Sequence, residues 1–165
     1  LYKWIDNGGG NKLKIGIACS GSPGHLNDSR RSMPLAKFLP LVKLGELFVI
    51  QKGLNSSDSV WLKDHPEVNY CGEDIQDFQD SAVLVNQMDL IVTVDTSLAH
   101  LAGALNKKTF VCLPYSAEWR WQIGRTDSPW YPSMELFRQG KIGDWDSVIE
   151  NVCQAINNFN SKSRY

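Results

Sequence analysis

The alternation of two periodicities constrains this chain more than any other feature. Short apolar runs of strand length occupy residues 13–19, 47–51, 68–71, 90–94 and 109–113. Between and after them come stretches with helical spacing, at residues 35–44, 57–63, 77–88, 97–105 and 145–157. Apolar strands that alternate with helices predict an α/β fold: a parallel sheet with helices on both faces. Pro34 suits a first helical residue. Pro40, inside the same stretch, predicts a bend or an early stop.

Length, charge and cysteine usage narrow the setting. With 165 residues the chain is long enough for one sizeable core. Residues 1–12, with Gly8-Gly9-Gly10, read as a linker from an upstream region. Residues 13–159 read as a single domain, and 160–165 as a frayed polar tail. The start at Leu1 rather than Met fits a piece of a longer protein. A net charge of −1 supplies no global field toward nucleic acid or an acidic membrane. No uninterrupted apolar run is long enough to span a bilayer, and no secretory signal opens the chain. Cys19, Cys71, Cys112 and Cys153 are far apart, without a C-x-x-C pair. Reduced thiols in a cytoplasmic protein are the plain reading, although an even count also permits disulfides. No internal repeat is visible.

In parallel sheets, ligands sit beyond the carboxyl ends of the strands. Four candidate segments fall there: residues 20–31, 51–53, 72–74 and 95–100. The last is the richest. Asp95-Thr96-Ser97-Leu98-Ala99-His100 follows a strand and opens a helix, so its free N–H groups and partial positive charge suit a phosphate. His100 lies three and four residues after Ser97 and Thr96, on their side of the helix, and leans back over the opening turn. Leu98, Leu101, Ala102 and Leu105 are expected to face the sheet. Gly103 and Ala104 leave room for a ligand or another chain segment. No Glu or Gln stands three residues after Thr96 to close a capping box. Asp95 could cap the helix itself, and an ordinary capped helix with a solvent-facing histidine stays open.

The other candidates are individually weaker. Ser20 and Gly21 sit in a small loop that admits a ligand close to the backbone, but neither a P-loop nor a G-x-G-x-x-G follows. Arginine grips phosphate with paired hydrogen bonds; Arg30 reads as solvated and Arg31 as the better candidate. Lys52 could neutralise a diphosphate or simply end a strand in water, and Gln51 could meet a base or ribose. Asp144-Trp145-Asp146 reads as a helix cap rather than a metal site. His65 has no ligand-spaced partner, so no metal is expected. Trp119, Trp121, Trp130 and Trp145 read first as loop packing, second as stacking surfaces or an interface.

Several of these pieces, in order, resemble one family. Asp95-Thr96 with His100-Leu101-Ala102 and Ala104-Leu105 is similar to the D-T-x-x-x-H-L-A-x-A-L motif of glycosyltransferase family 9, the bacterial heptosyltransferases. It is closer still to related C-terminal domains attached to tetratricopeptide-repeat proteins. Lys14 to Pro23, Arg30 to Leu35, Ile50 to Gly53, Trp119 to Trp121 and Asp127 to Pro132 also resemble family segments. Together they cover roughly residues 13 to 150.

The resemblance implies a Rossmann-like domain, the C-terminal, donor-binding half of a B-type glycosyltransferase. It implies a nucleotide-diphosphate sugar as donor substrate, with no other cofactor. Ser20, Gly21, Arg31, Gln51, Lys52, Asp95, Thr96, Ser97, Leu98 and His100 would form the donor site. Arg31 is preferred over Arg30 because the family carries a phosphate-contacting cation ahead of its helix-opening proline. Thr96, Ser97 and Leu98 would offer N–H groups to the diphosphate, and Asp95 would hold the turn or touch ribose. The acceptor half and catalytic base would lie upstream, alongside tetratricopeptide repeats, so the chain alone would bind donor weakly and transfer nothing. A non-catalytic binding or interaction module on the same fold is the alternative. A dinucleotide-dependent oxidoreductase is disfavoured by the missing glycine fingerprint.

Overall fold

The structure is a computed structural model that describes residues 12–21, 24 and 28–162. Six parallel strands form one sheet: β1 (Lys14–Ala18), β2 (Glu46–Val49), β3 (Val68–Tyr70), β4 (Leu90–Val94), β5 (Thr109–Leu113) and β6 (Met134–Arg138). The helices are α1 (Asp28–Arg31), α2 (Ser56–Lys63), α3 (Phe78–Gln87), α4 (Ser97–Ala104) and α5 (Trp145–Lys162). Strand order is β3-β2-β1-β4-β5-β6. The chain steps outward from β1 to β3, returns beside β1 as β4, and steps outward again. This is the Rossmann-like α/β order. Its reversal lies between β1 and β4, where Ala18 stands opposite Thr93. Loops leaving these two strands diverge and open a crevice beyond their carboxyl ends.

Strand alternation loads both faces. On one, Ile15, Ile17, Leu47, Val49 and Val92 meet Phe38, Leu41, Val148 and Val152. On the other, Phe48, Ile50 and Ile91 meet Leu84, Val85, Met88 and Leu98. Each fully buried large apolar side chain contributes roughly 1.5–3 kcal/mol, so the site rests on a rigid frame.

Four expectations need correction. The 35–44 segment is a 3-10 helix, Leu35–Lys43, not an α-helix. Pro40 has no amide to donate, and the tighter winding is the short-range alternative. β6 was not visible in the sequence. It pairs only with β5, and Glu135 and Arg138 break its apolar pattern. Its outer side is finished by an antiparallel bridge between Asp127 and Glu135. Residues 160–162 belong to α5 instead of a frayed tail. The apolar stripe of Ile149, Val152 and Ile156 continues to half-buried Phe159, and Ser161 Oγ donates to Asn157 O at 2.9 Å.

The fourth correction concerns α4. It buries Leu98, Ala99, Ala102 and Gly103, whereas Leu105 is 37% exposed. The helix ends at Ala104, which leaves Leu105 outside the packed stripe. Gly103 makes room for another chain segment: a Cβ there would stand 2.6 Å from Tyr131 Cδ1 and from Met134 Cε. Residues 1–11, 22–23, 25–27 and 163–165, with Gly8-Gly9-Gly10 and His25 among them, lie outside the described residues. Among the described residues, no helix is long and apolar enough to cross a membrane.

Candidate functional site

The β4–α4 turn is finished in an unusual way. Thr96 is the N-cap of α4, with φ −140° and ψ 173°, yet no side chain caps the helix. The Thr96 hydroxyl instead lies 3.3 Å from Thr93 Oγ1, which donates to Val94 O at 2.9 Å. The oxygen suited to capping is held against the sheet, and the opening N–H groups keep their positive end unneutralised. Asp95 does not cap either. It is 9% exposed, and no described residue donates to its carboxylate. Its oxygens stay open to solvent, where a hydroxyl-bearing ligand can reach them.

The β1 tip is held by Gln51. Its Oε1 accepts from Cys19 N at 2.9 Å and Ser20 N at 3.0 Å. Its Nε2 donates to Ser20 Oγ at 2.6 Å and Gly53 O at 3.0 Å. Both amide donors and both lone pairs are thereby used, so Gln51 positions the loop and has no free group for a base or ribose. Beyond it, Asp28 Oδ1 accepts from Gly21 N at 3.2 Å and Ser32 Oγ at 3.0 Å, and pairs with Arg31 Nε at 3.4 Å. The Arg31 guanidinium lies directly over Gly21. A Cβ on Gly21 would stand 2.8 Å from Arg31 Cζ. Lys52 is exposed, and its Nζ donates to Gln76 O at 3.1 Å.

His100 is fixed by aromatic neighbours. Its ring stacks on Trp121 with centroids 5.3 Å apart and planes at 18°. Its Nδ1 lies 3.2 Å from Tyr131 Oη. The four tryptophans divide accordingly: Trp121 and Trp145 are buried, whereas Trp119 and Trp130 are exposed.

Two cavities meet over the β4–α4 turn. The first, of about 560 Å³, is lined by Arg30, Arg31, Asp95, Thr96, Ser97 and His100 and is walled by Pro114, Ser116, Ala117, Glu118 and Arg120. The second, of about 620 Å³, takes in Ser20, Gly21, Gln51, Lys52 and Leu98, with Ile50, Ile75 and Phe78. Arg31, Thr96 and Ser97 line both. All ten candidate residues therefore border this double cavity. Lys52 and His100 lie in different halves of it, so they do not close around a single shared pocket. Arg30, read as solvated, also borders the first cavity. From the β3 tip it is Ile75 to Phe78, not residues 72–74, that reaches the rim. The wall after β5 was missed, although the rule that selected the other strand tips applies to it equally.

Burial raises all four cysteine thiols. Burial, and then the Asp58 carboxylate, push the Cys19 thiol up to about 12. Burial, and then Asp74, push Cys71 up to about 11. All four cysteines are free. Asp144 Oδ1 accepts from Ser147 N at 3.2 Å, the cap expected of it, and Asp146 pairs with Lys37 at 2.6 Å. Among the described residues, no group of three His, Cys, Asp or Glu side chains is placed to hold a metal ion.

Comparison with known proteins adds a family to this geometry. Residues 62–141 match glycosyltransferase family 9 (heptosyltransferase). That stretch contains Asp95, Thr96, Ser97, Leu98 and His100, and it includes the wall after β5. Ser20, Gly21, Arg31, Gln51 and Lys52 precede the matched family 9 segment. Protein FlbA of Caulobacter vibrioides is 30% identical over 83 residues, 50% of this chain and 14% of FlbA. The fold likeness extends further. The structure of E. coli ADP-heptose LPS heptosyltransferase II matches 90% of this chain and 48% of its own, with a TM-score of 0.58 and 15% identity. The chain thus spans less than half the length of either relative.

Proposed function

We propose that this chain is the donor-binding half of a glycosyltransferase and holds a nucleotide-diphosphate sugar at the carboxyl edge of the sheet. One observation carries the reading: the uncapped N-terminus of α4 opens at the strand-order reversal, between two adjoining cavities. The diphosphate lies against the N–H groups of Thr96, Ser97 and Leu98, with Arg31 reaching it from the β1 side. His100 donates from the opposite wall. Asp95 accepts from a ribose or sugar hydroxyl. Ser20 and Gly21 let the ligand approach the backbone, and Gln51 fixes their loop.

As the sugar–phosphate bond breaks, negative charge grows on the departing diphosphate. Pre-oriented N–H groups and Arg31 stabilise that charge without first having to reorganise. Lys52 joins them only if it leaves the Gln76 carbonyl. In this proposal the acceptor domain and catalytic base belong to a longer cytoplasmic protein, with tetratricopeptide repeats upstream, and the isolated chain does not turn over. The partial coverage of both relatives supports that division.

A second reading, a binding module without transferase activity, is favoured by one detail: Arg31 and Lys52 already have internal partners in Asp28 and Gln76. Calorimetric titration with UDP, GDP and ADP tests the donor reading. At least one should bind, and the Arg31→Ala, His100→Ala double variant should weaken it by about ten-fold or more, the loss of two charge-assisted contacts. Equal binding by both proteins would remove the donor reading and leave the module.

A further inference from the structure

We propose that a third, aromatic cleft beside His100 is a sugar-ring subsite: Trp119, Trp130 and Tyr131 take the apolar C–H face of a pyranose, and Arg120 and His100 take its hydroxyls. The cleft measures about 320 Å³ and is lined by those five residues. That is near the lower limit of small-molecule sites, roughly 300 Å³, so it suits a single ring rather than a nucleotide.

Trp119 and Trp130 are 68% and 56% exposed, although the same segment buries Trp121 completely. They are nevertheless held in place. Trp130 Nε1 donates to Arg120 O at 3.1 Å. The Arg120 guanidinium stands 4.9 Å above the Trp119 ring and is ion-paired with Glu118. The two indoles cross at 89°, with centroids 6.5 Å apart. They form two walls of a corner, not a parallel slot.

This shape selects among ligands. A flat base needs a face to lie on and prefers parallel planes on both sides. A pyranose is thick, with polarised C–H bonds on one side that are attracted to the negative face of an indole. Its hydroxyls project outward, toward the Arg120 and His100 edge. Because Glu118 already neutralises Arg120, the cleft carries no unpaired cation calling for a phosphate. Tyr131 engages His100 Nδ1, which leaves Nε2 for a ligand. His100 and Arg120 also line the 560 Å³ cavity. A ring in the cleft therefore sits one wall from the proposed diphosphate position. The ring can come from the donor, in which case the subsite rests on the function proposed above, or from an acceptor glycan, in which case it does not.

Saturation-transfer NMR on the whole chain separates these cases. The probes are UDP-glucose, GDP-mannose and ADP-glucose in one set and methyl pyranosides in the other. Ring C–H protons of at least one probe should saturate. Trp119→Ala should cut that signal about three- to ten-fold, the size of one lost aromatic contact. Trp119→Phe should keep most of it, and nucleotide protons should not change in either variant. A response from the nucleotide sugars assigns the ring to the donor, and a response from methyl pyranosides alone assigns it to an acceptor. Saturated nucleotide protons with silent ring protons would overturn the subsite and leave the donor site standing. Responsive methyl pyranosides with silent nucleotides would do the reverse. Ring signals indifferent to Trp119→Ala, or absent from both sets, would also overturn it.

Discussion

Asp58 and Asp95 are almost equally buried, at 4% and 9% exposed. Their surroundings are opposite. Asp58 Oδ1 accepts from Leu35 N at 2.9 Å, and its Oδ2 accepts from Asn55 Nδ2 at 2.7 Å and from the Cys19 thiol at 3.6 Å. It ties the β1 tip, the 3-10 segment and the start of α2 together. Asp95 borders a cavity and receives no hydrogen bond from a described residue. A buried polar group with its partners inside the protein belongs to the scaffold. One without them, open to a cavity, is free to meet a ligand. The same contrast separates the whole β1–β2 side, closed by Gln51, from the β4 side, where the helix end is left open.

Four experiments break or sharpen this contrast. The largest effect is expected at Asp58. Asp58→Ala leaves Leu35 N and the Asn55 amide without acceptors, a loss of about 2–4 kcal/mol in urea unfolding. Next comes Asp95→Ala, which should change stability by about 1 kcal/mol or less, since no internal hydrogen bond is lost, yet lower nucleotide-sugar affinity by about ten-fold. If Asp95→Ala destabilised the fold more than Asp58→Ala, the contrast would be reversed.

Gly21→Ala tests the β1 loop. The new methyl displaces the Arg31 guanidinium, so nucleotide diphosphate should bind several-fold more weakly while stability changes by about 1 kcal/mol or less. The smallest effect in ordinary buffers concerns Cys19. Burial, and then the Asp58 carboxylate, push its folded thiol up to about 12 from the ordinary value of 9.0. The contribution of the neutral buried thiol is complete below pH 9 and falls away as pH rises toward about 12, because the unfolded chain releases the proton first. At pH 8.5 iodoacetamide should leave native Cys19 unmodified; rapid labelling would show that the β1 tip opens.

Much of this fold was legible because its central strands are apolar on both faces. β4 and β5 match the expected runs residue for residue. β6 was not, because an edge strand that pairs on one side needs no continuous apolar run. The candidate site was legible through one rule, that strand ends carry ligands, together with family-like residues at Asp95, Thr96 and His100. The rule identifies loops, not the direction of a side chain. It therefore could not show that Gln51 turns inward to clamp Ser20, or that the Thr96 hydroxyl turns down to Thr93. Asp28 and Asp58 gave no signal at all: a single acidic residue in a polar stretch looks the same whether it is solvated or holds three partners.

The most direct test follows backbone amides in a 15N-labelled sample of the whole chain as UDP, GDP or ADP is added. The largest saturable shifts should fall on the amides of Thr96, Ser97 and Leu98 for at least one nucleotide, and inorganic diphosphate should reproduce them at higher concentration. If those three amides stay still with every nucleotide, or if the shifts gather on another face of the sheet, the open end of α4 is not where this protein holds a diphosphate.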